Sequence, residues 1–476
     1  MGKGATVHYK NITREFIKKL NMKMDFREKD GIPDIMPAYG HDIANYAARY
    51  GATNSQIQSV VKLDGRLDFE KLSRAVRLSV DAEPVLGCRF VRSVPPYWKR
   101  LDDIDNVDFC SMEEAENPGE AVVRFLKSPL DMDRGPMLMV RLIRSGQGDM
   151  LVIKLNHTCT DGAGAKEYLP LLAHIYSCID ENGSYEPKPH ARSRKDHEKI
   201  FRALGIKFPL LDNSLVEAPY TVWPFPWERS LPKFSWKPEW QTDETCFAIH
   251  RLPYGQLDLL HKYGKERGAT INDLILTAFY RAMFKLAQPP YGIPMDIALS
   301  VDLRRYLPDK KAEAIRNLSG GIVLRIARLL GEPFEGTLSR IAAAMKYKKS
   351  MNPGYPSATG SDRAEMINFR QTLAYYKLVT TLAKIISPLC FYCSPGLSNM
   401  GYISESLIKF GKATATDICM IPPAIRAPGI LLVAASYNGV LTFTMGYYKG
   451  AVKRKHVEKL LAMVAGELEK CCRPGT

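Results

Sequence analysis

Hydrophobic and polar positions along the chain follow two periods. The run SQIQSVVKL (55–63) is β-rich and predicts a strand. Asp68 then opens a helix whose apolar residues Phe69, Leu72, Val76 and Val80 step by three, four and four positions and so share one face. Glu83-Pro84 ends that helix, and Val85–Val91 predicts a second strand. Met137–Ile143 and Met150–Leu155 are β-rich runs joined by Ser145-Gly-Gln-Gly-Asp149, the pattern of a hairpin. The second run is apolar on both faces except at Lys154, which predicts an interior strand. It leads into Asn156-His157-Thr158-Cys159-Thr160-Asp161-Gly162-Ala163-Gly164, after which 165–179 reads as a helix.

The second half uses the same vocabulary. Cys246–Leu252 and Met295–Val301 predict strands, and helices are expected over 253–267, from Thr270 onward, and over 334–350 and 362–387. Gly429–Ser436 and Val440–Tyr447 flank Tyr437-Asn438-Gly439, a strong hairpin turn. A last helix is expected over 453–470. Strands alternate with helices in both halves, so the expected class is α/β, or an α+β sandwich. Between the halves, residues 186–240 hold eight prolines and Trp223, Trp227, Trp236 and Trp240. Proline blocks long regular elements, while clustered large rings gain by being covered. An ordered surface connection at a domain boundary is expected there.

At 476 residues the chain has room for two domains of about 230 residues or three of about 150. Apolar residues are 46% and charged residues 25%, which excludes a disordered or low-complexity chain. No uninterrupted apolar stretch reaches membrane-spanning length; the longest candidate, 376–393, is broken by Lys377, Lys384 and Pro388. The net charge of +15 favours an anionic partner, such as a phosphorylated co-substrate or an acidic protein, but does not choose among anions. The basic clusters at 192–199 and 449–455 do not alternate with aromatics, so nucleic acid is not expected. Residues 5–22 read as a basic amphipathic helix with no signal-peptide core, and several of the ten cysteines lie in apolar segments. Cys390-x-x-Cys393 lacks a second pair at zinc spacing, and no metal is expected. A reduced, cytoplasmic location follows from these features.

The sharpest local feature is His157-x-x-x-Asp161-Gly162, where an interior strand gives way to a helix. A histidine held in a cleft is the natural proton acceptor near neutral pH. An aspartate four residues on can lock the turn by pairing with a distant cation. As bare spacing the motif is weak, and a hydrogen-bonded core histidine explains it as readily. Cys159 invites a Cys/His nucleophile reading, but so close a neighbour on one turn is poorly placed to bond the ring.

The stretch resembles the HHxxxDG signature of the CoA-dependent acyltransferase superfamily, which includes chloramphenicol acetyltransferase, condensation domains of peptide synthetases and alcohol O-acyltransferases. Other segments match in order: Glu83-Pro84-Val85-Leu86-Gly87-Cys88-Arg89-Phe90, then Pro129-Leu130-Asp131 to Gly135-Pro136-Met137, then Ser300-Val301-Asp302-Leu303-Arg304-Arg305-Tyr306-Leu307-Pro308, and Leu397-Ser398-Asn399-Met400-Gly401. The last two are closest to the alcohol acyltransferase-like branch. Asn156 stands where the paired signature has its first histidine. The resemblance implies two chloramphenicol acetyltransferase-like subdomains in one chain, forming a V-shaped pseudo-dimer and working as a monomer. The first takes residues 1–185, the Pro/Trp-rich connection 186–240, and the second 241–476. It implies His157 as general base, Asp161 as a structural residue, and Arg304 as its partner, with Arg305 the near competitor. Gly162 would leave room at the reaction centre, and Asn156, Ser398 and Asn399 would line the substrate channel. No bound cofactor is implied. An acyl-CoA co-substrate would acylate a small-molecule alcohol. The alternatives are a phosphopantetheinyl carrier-protein donor, with an amide as possible product, and a catalytically silent scaffold of the same fold.

Overall fold

The computed structural model describes residues 28–29, 31–50, 53–190, 192–193, 195–205, 243–354, 369–386, 394–427, 429–450 and 452–472. The expected helix over 5–22, the tryptophan-rich part of the connection and Cys390-x-x-Cys393 lie outside them. Expected strands and helices otherwise recur close to their sequence signals. Up to and including the start of the connection, the chain contains helix α1 (Gly40–Ala48), strand β1 (Gln56–Leu63), α2 (Phe69–Ala82), β2 (Cys110–Glu114), α3 (Pro118–Lys127), β3 (Leu138–Ser145), β4 (Gly148–Asn156), α4 (Gly162–Asn182) and α5 (Lys195–Ala203), of which α1, β2, α3 and α5 were not expected from the sequence. Asp68 caps α2, its carboxylate accepting from the Lys71 amide at 3.0 Å. The strand expected over 85–91 is shorter: Pro84–Gly87 form a 3₁₀ turn and Cys88–Val91 the strand, because proline sets the helical φ for that turn.

The second half contains β5 (Thr245–Arg251), α6 (Gln256–Glu266), α7 (Ile271–Ala287), β6 (Pro294–Asp302), β7 (Ser319–Ala327), α8 (Phe334–Ser350), α9 (Phe369–Ile386), β8 (Ser394–Tyr402), β9 (Ala413–Ile421), β10 (Gly429–Tyr437), β11 (Val440–Tyr448) and α10 (Arg454–Cys471). One sheet runs β5-β11-β10-β8-β6-β7, with β8 parallel to both β6 and β10. The other runs β9-β1-β4-β3-β2. Strand β9 belongs to the second half by sequence, yet it pairs antiparallel with β1, Ile418 opposite Val61 and Ile421 opposite Gln58. One strand from the second half of the sequence thus completes the sheet built by the first.

Each sheet carries its own core. Val61, Leu151, Ile153 and Leu155 pack under Leu72, Val76, Leu169 and Leu172 of α2 and α4. Ile297, Leu324, Leu432 and Phe443 pack under Phe279, Ile341 and Leu461 of α7, α8 and α10. Burying each such aliphatic or aromatic side chain contributes about 1.5–3 kcal/mol. β4 is buried on both faces, as its composition predicts. Its odd residue, Lys154, is fully buried, donates to the Ser128 carbonyl at 2.6 Å and lies 4.1 Å from the centre of the Phe125 ring. Burial, reinforced by Arg141, pulls its pKa down to about 7.

The direction of that shift makes a prediction. The unfolded lysine titrates near 10.4, so the native state bears the full burial cost below about pH 7 and progressively less up to about pH 10. Lys154→Met should therefore gain most over the wild type at pH 6 and least at pH 10. Urea unfolding of both proteins across that range checks it; a pH-independent difference would contradict the buried-ammonium reading.

Candidate active site

The end of β4 folds the site. Asn156 is the last strand residue, and its buried side-chain oxygen accepts from the Thr158 amide at 2.9 Å, closing a tight turn. That turn swings His157 out of the strand. Its backbone amide is held by the Ser55 carbonyl at 2.7 Å, and Ser55 itself sits at φ +53°. A serine in the left-handed region is uncommon and here serves to aim a carbonyl at the site. The His157 ring is half-buried, so it is not sealed in apolar packing.

Asp161 then caps α4, accepting from the Gly164 amide at 2.9 Å. Its other oxygen accepts from Arg304 Nη1 at 2.9 Å and from the Leu318 amide at 2.7 Å. Burial pushes the Asp161 pKa up, but the Arg304 charge and these hydrogen bonds outweigh it and hold the carboxyl below its ordinary range. Arg304 is equally buried and also donates to the Arg316 carbonyl at 3.0 Å. It stands on a 3₁₀ turn, Leu303–Tyr306, which Asp302 caps by accepting the Arg304 amide at 3.0 Å. The competitor Arg305 is exposed beside the Tyr306 ring. The partner of Asp161 is Arg304.

The second half also reaches the start of α4 through β8. A bulge between Asn399 and Tyr402 uses Gly401 at φ +62°. Lys166 donates to the Met400 carbonyl and, at 3.1 Å, to that of Tyr402. A Cβ on Gly162 would lie 2.9 Å from the Met400 terminal carbon. The missing side chain at Gly162 thus leaves room for the Met400 thioether. Asn399 is half-buried, its amide nitrogen donating to Asn272 at 3.2 Å and its oxygen accepting from Gly401 at 3.0 Å. Ser398 is half-buried and pairs with Val433 in the sheet.

A polar network that reaches His157 through Asn317 had no sequence signal. Asn317, 2% exposed, puts its side-chain oxygen 3.3 Å from His157 Nδ1 and donates from its nitrogen to the Thr158 carbonyl at 2.8 Å and to Asp42 at 3.3 Å. Asp42, on α1, forms a two-pronged buried pair with Arg192 at 2.9 and 3.0 Å. Nearby, His41 donates from Nε2 to the Ser319 carbonyl at 2.9 Å, and burial lowers its pKa. Cys159 is buried, its thiol turned to the Asn156 carbonyl and its pKa raised by burial, the reverse of a primed nucleophile. Among the described residues no cluster of three His, Cys, Asp or Glu side chains is arranged to hold a metal.

No family model matches the chain. An uncharacterized protein of Mycobacterium tuberculosis is 25% identical over 287 residues, 57% of this chain and 62% of that protein. The chain thus spans 62% of the length of that curated relative. The first condensation domain of the calcium-dependent antibiotic synthetase, solved with a substrate analogue, superposes with a TM-score of 0.65 at 16% identity, covering 93% of this chain and 96% of that domain. The starter condensation domain of rhizomide synthetase, solved as a variant in complex with C8-CoA, gives 0.62 at 13% identity over 91% and 95%. The chain has the two-subdomain, chloramphenicol acetyltransferase-like fold of condensation domains.

The buried pair carries a testable cost. Asp161→Ala takes the nearest partner from the buried Arg304 guanidinium, which keeps Glu167 at 3.2 Å and Asp302 at 3.3 Å, and should lower stability by about 2–3 kcal/mol at pH 7. Because folding depresses the Asp161 pKa, its contribution is present above the unfolded value near 3.9 and is lost as pH falls through the folded one. The gap between wild type and variant, read from denaturant unfolding, should narrow below about pH 4; a gap under about 1 kcal/mol at pH 7 would place the pair outside the folding core.

Proposed function

We propose that the protein transfers an acyl group from a pantetheine-borne thioester to a hydroxyl acceptor, with His157 as general base. The observation that carries this reading is a half-buried imidazole at the meeting of the two halves, whose Nε2 takes no hydrogen bond from any described residue. The acceptor O–H gives its proton to the ring as its oxygen bonds to the thioester carbonyl. Collapse of the adduct breaks the C–S bond, and the leaving thiolate takes the proton back from the imidazolium. Ester and free thiol result, the ring is regenerated, and no acyl-enzyme is required. A positioned base contributes about 10²- to 10⁴-fold, and holding both substrates at one ring supplies much of the rest.

Coenzyme A is the donor this reading favours. The net charge of +15 suits a co-substrate with several phosphates, and C8-CoA occupies the rhizomide starter domain of the same fold. The second reading, a carrier-protein donor with an amide product, is supported by the likeness to the antibiotic synthetase domain. No helix among the described residues is long and apolar enough to cross a membrane. The reading takes the protein as a cytoplasmic monomer.

Incubation with a panel of acyl-CoAs, alcohols and amines should release free thiol with the wild-type protein. His157→Ala should abolish release while leaving the thermal midpoint nearly unchanged, since the residue is half-buried and its one side-chain hydrogen bond among the described residues, to Asn317, holds no element in place. Release at the wild-type rate by the variant would remove His157 as base. No release by the wild type with CoA donors, but release with acylated carrier protein, would select the second reading; none with either would leave a silent fold.

A further inference from the structure

The hydrogen-bond directions around Asn317 leave no freedom. Its amide nitrogen faces the Thr158 carbonyl at 2.8 Å and the Asp42 carboxylate at 3.3 Å, groups that only accept. Flipping the amide would set its oxygen against both. The oxygen is therefore the atom turned to His157 Nδ1, at 3.3 Å. Asp42 is in turn held by both guanidinium prongs of Arg192, by the Trp98 indole N–H at 3.1 Å and by the Tyr39 amide at 3.0 Å. Arg192 also reaches the Cys159 carbonyl, in the His157 turn, at 3.3 Å. Asn317, Asp42 and Arg192 are each at most 6% exposed, so water does not compete for these bonds.

We propose that Asn317 is a positioning residue that fixes the tautomer of His157. An acceptor oxygen opposite Nδ1 requires the neutral ring to carry its hydrogen there. The lone pair is then left on Nε2, the nitrogen no described residue occupies. The other tautomer would place a lone pair against the Asn317 oxygen and a hydrogen on the nitrogen that must accept one. Asn317 touches no substrate in this arrangement; it acts through the ring. A second buried ion pair, Asp42–Arg192, holds Asn317 through Asp42, while Asp161–Arg304 pins the helix that follows His157. This role rests on the transfer chemistry proposed for His157, but the tautomer is measured without it.

The test is the imidazole nitrogen NMR spectrum of the ¹⁵N-histidine-labelled full chain, with the His157 resonances assigned by their loss in His157→Asn. Above its titration, wild-type His157 should show a protonated Nδ1 and an unprotonated Nε2. Asn317→Leu should let the ring turn over to the Nε2–H form. Once a donor and acceptor are known, Asn317→Leu should lose at least about 100-fold in kcat with the donor KM nearly unchanged. A wild-type ring protonated on Nε2 would overturn the proposal even if Asn317→Leu fails to fold. So would a folded Asn317→Leu protein that keeps the wild-type spectrum. The Nδ1–H form in a protein that transfers no acyl group from any donor would instead count against the transferase reading and leave the tautomer assignment standing.

Discussion

Asp161 and Arg304 lie 143 residues apart and meet inside the protein at 2.9 Å. Taking both charges out of water costs several kcal/mol for each, and only close geometry with every remaining oxygen and nitrogen occupied offsets it. The Asp161 oxygens meet that condition, taking the Gly164 amide on one side and Leu318 and Arg304 on the other, while Arg304, whose Nε makes no hydrogen bond among the described residues, is compensated further by Glu167 at 3.2 Å and Asp302 at 3.3 Å. One carboxylate thus starts α4 and attaches it to the segment before β7. Everything near His157 inherits its position from that joint. The ring projects from the turn immediately before the capped helix, and Asn317 comes from the residues beside Leu318.

The rest of the assembly makes the joint durable. Strand β9 leaves the second half to complete the first sheet beside β1, so the halves cannot part without breaking a ladder of main-chain hydrogen bonds. Lys166 holds the β8 bulge against the first turn of α4. The site therefore lies at an interface that is covalently continuous and mechanically braced. A reaction needing two substrates at one base gains from such a place, because its effective concentrations depend on tight positioning.

Much of this was legible in the chain, for identifiable reasons. The helix at Asp68 and the strands around Ser145–Asp149 carry local signals, a cap and a turn, that tertiary structure had no cause to override. The Asp161–Arg304 pairing came from the order of motifs resembling a family, as no spacing rule joins positions so distant. β7 and β8 were missed. SPGLSNMGY is rich in glycine, serine and asparagine and is a strand because it lies beside β6 in the sheet, whereas SGGIVLRIA carries a β-rich IVLRIA run behind its opening glycines that was passed over. Asn317, Asp42 and Arg192 were silent because a buried polar network is defined by partners in space, and each residue alone reads as ordinary loop or helix surface.

The central claim is that this junction holds a thioester next to one open nitrogen of one histidine. A crystal structure with a non-transferable thioether analogue of an acylated pantetheine, the portion shared by coenzyme A and carrier-borne donors, addresses it directly. The account predicts the acyl carbon and sulfur beside His157 Nε2, with Asn317 still on the opposite edge of the ring. An analogue seated with its sulfur away from His157, on a surface remote from the turn after β4, would contradict it.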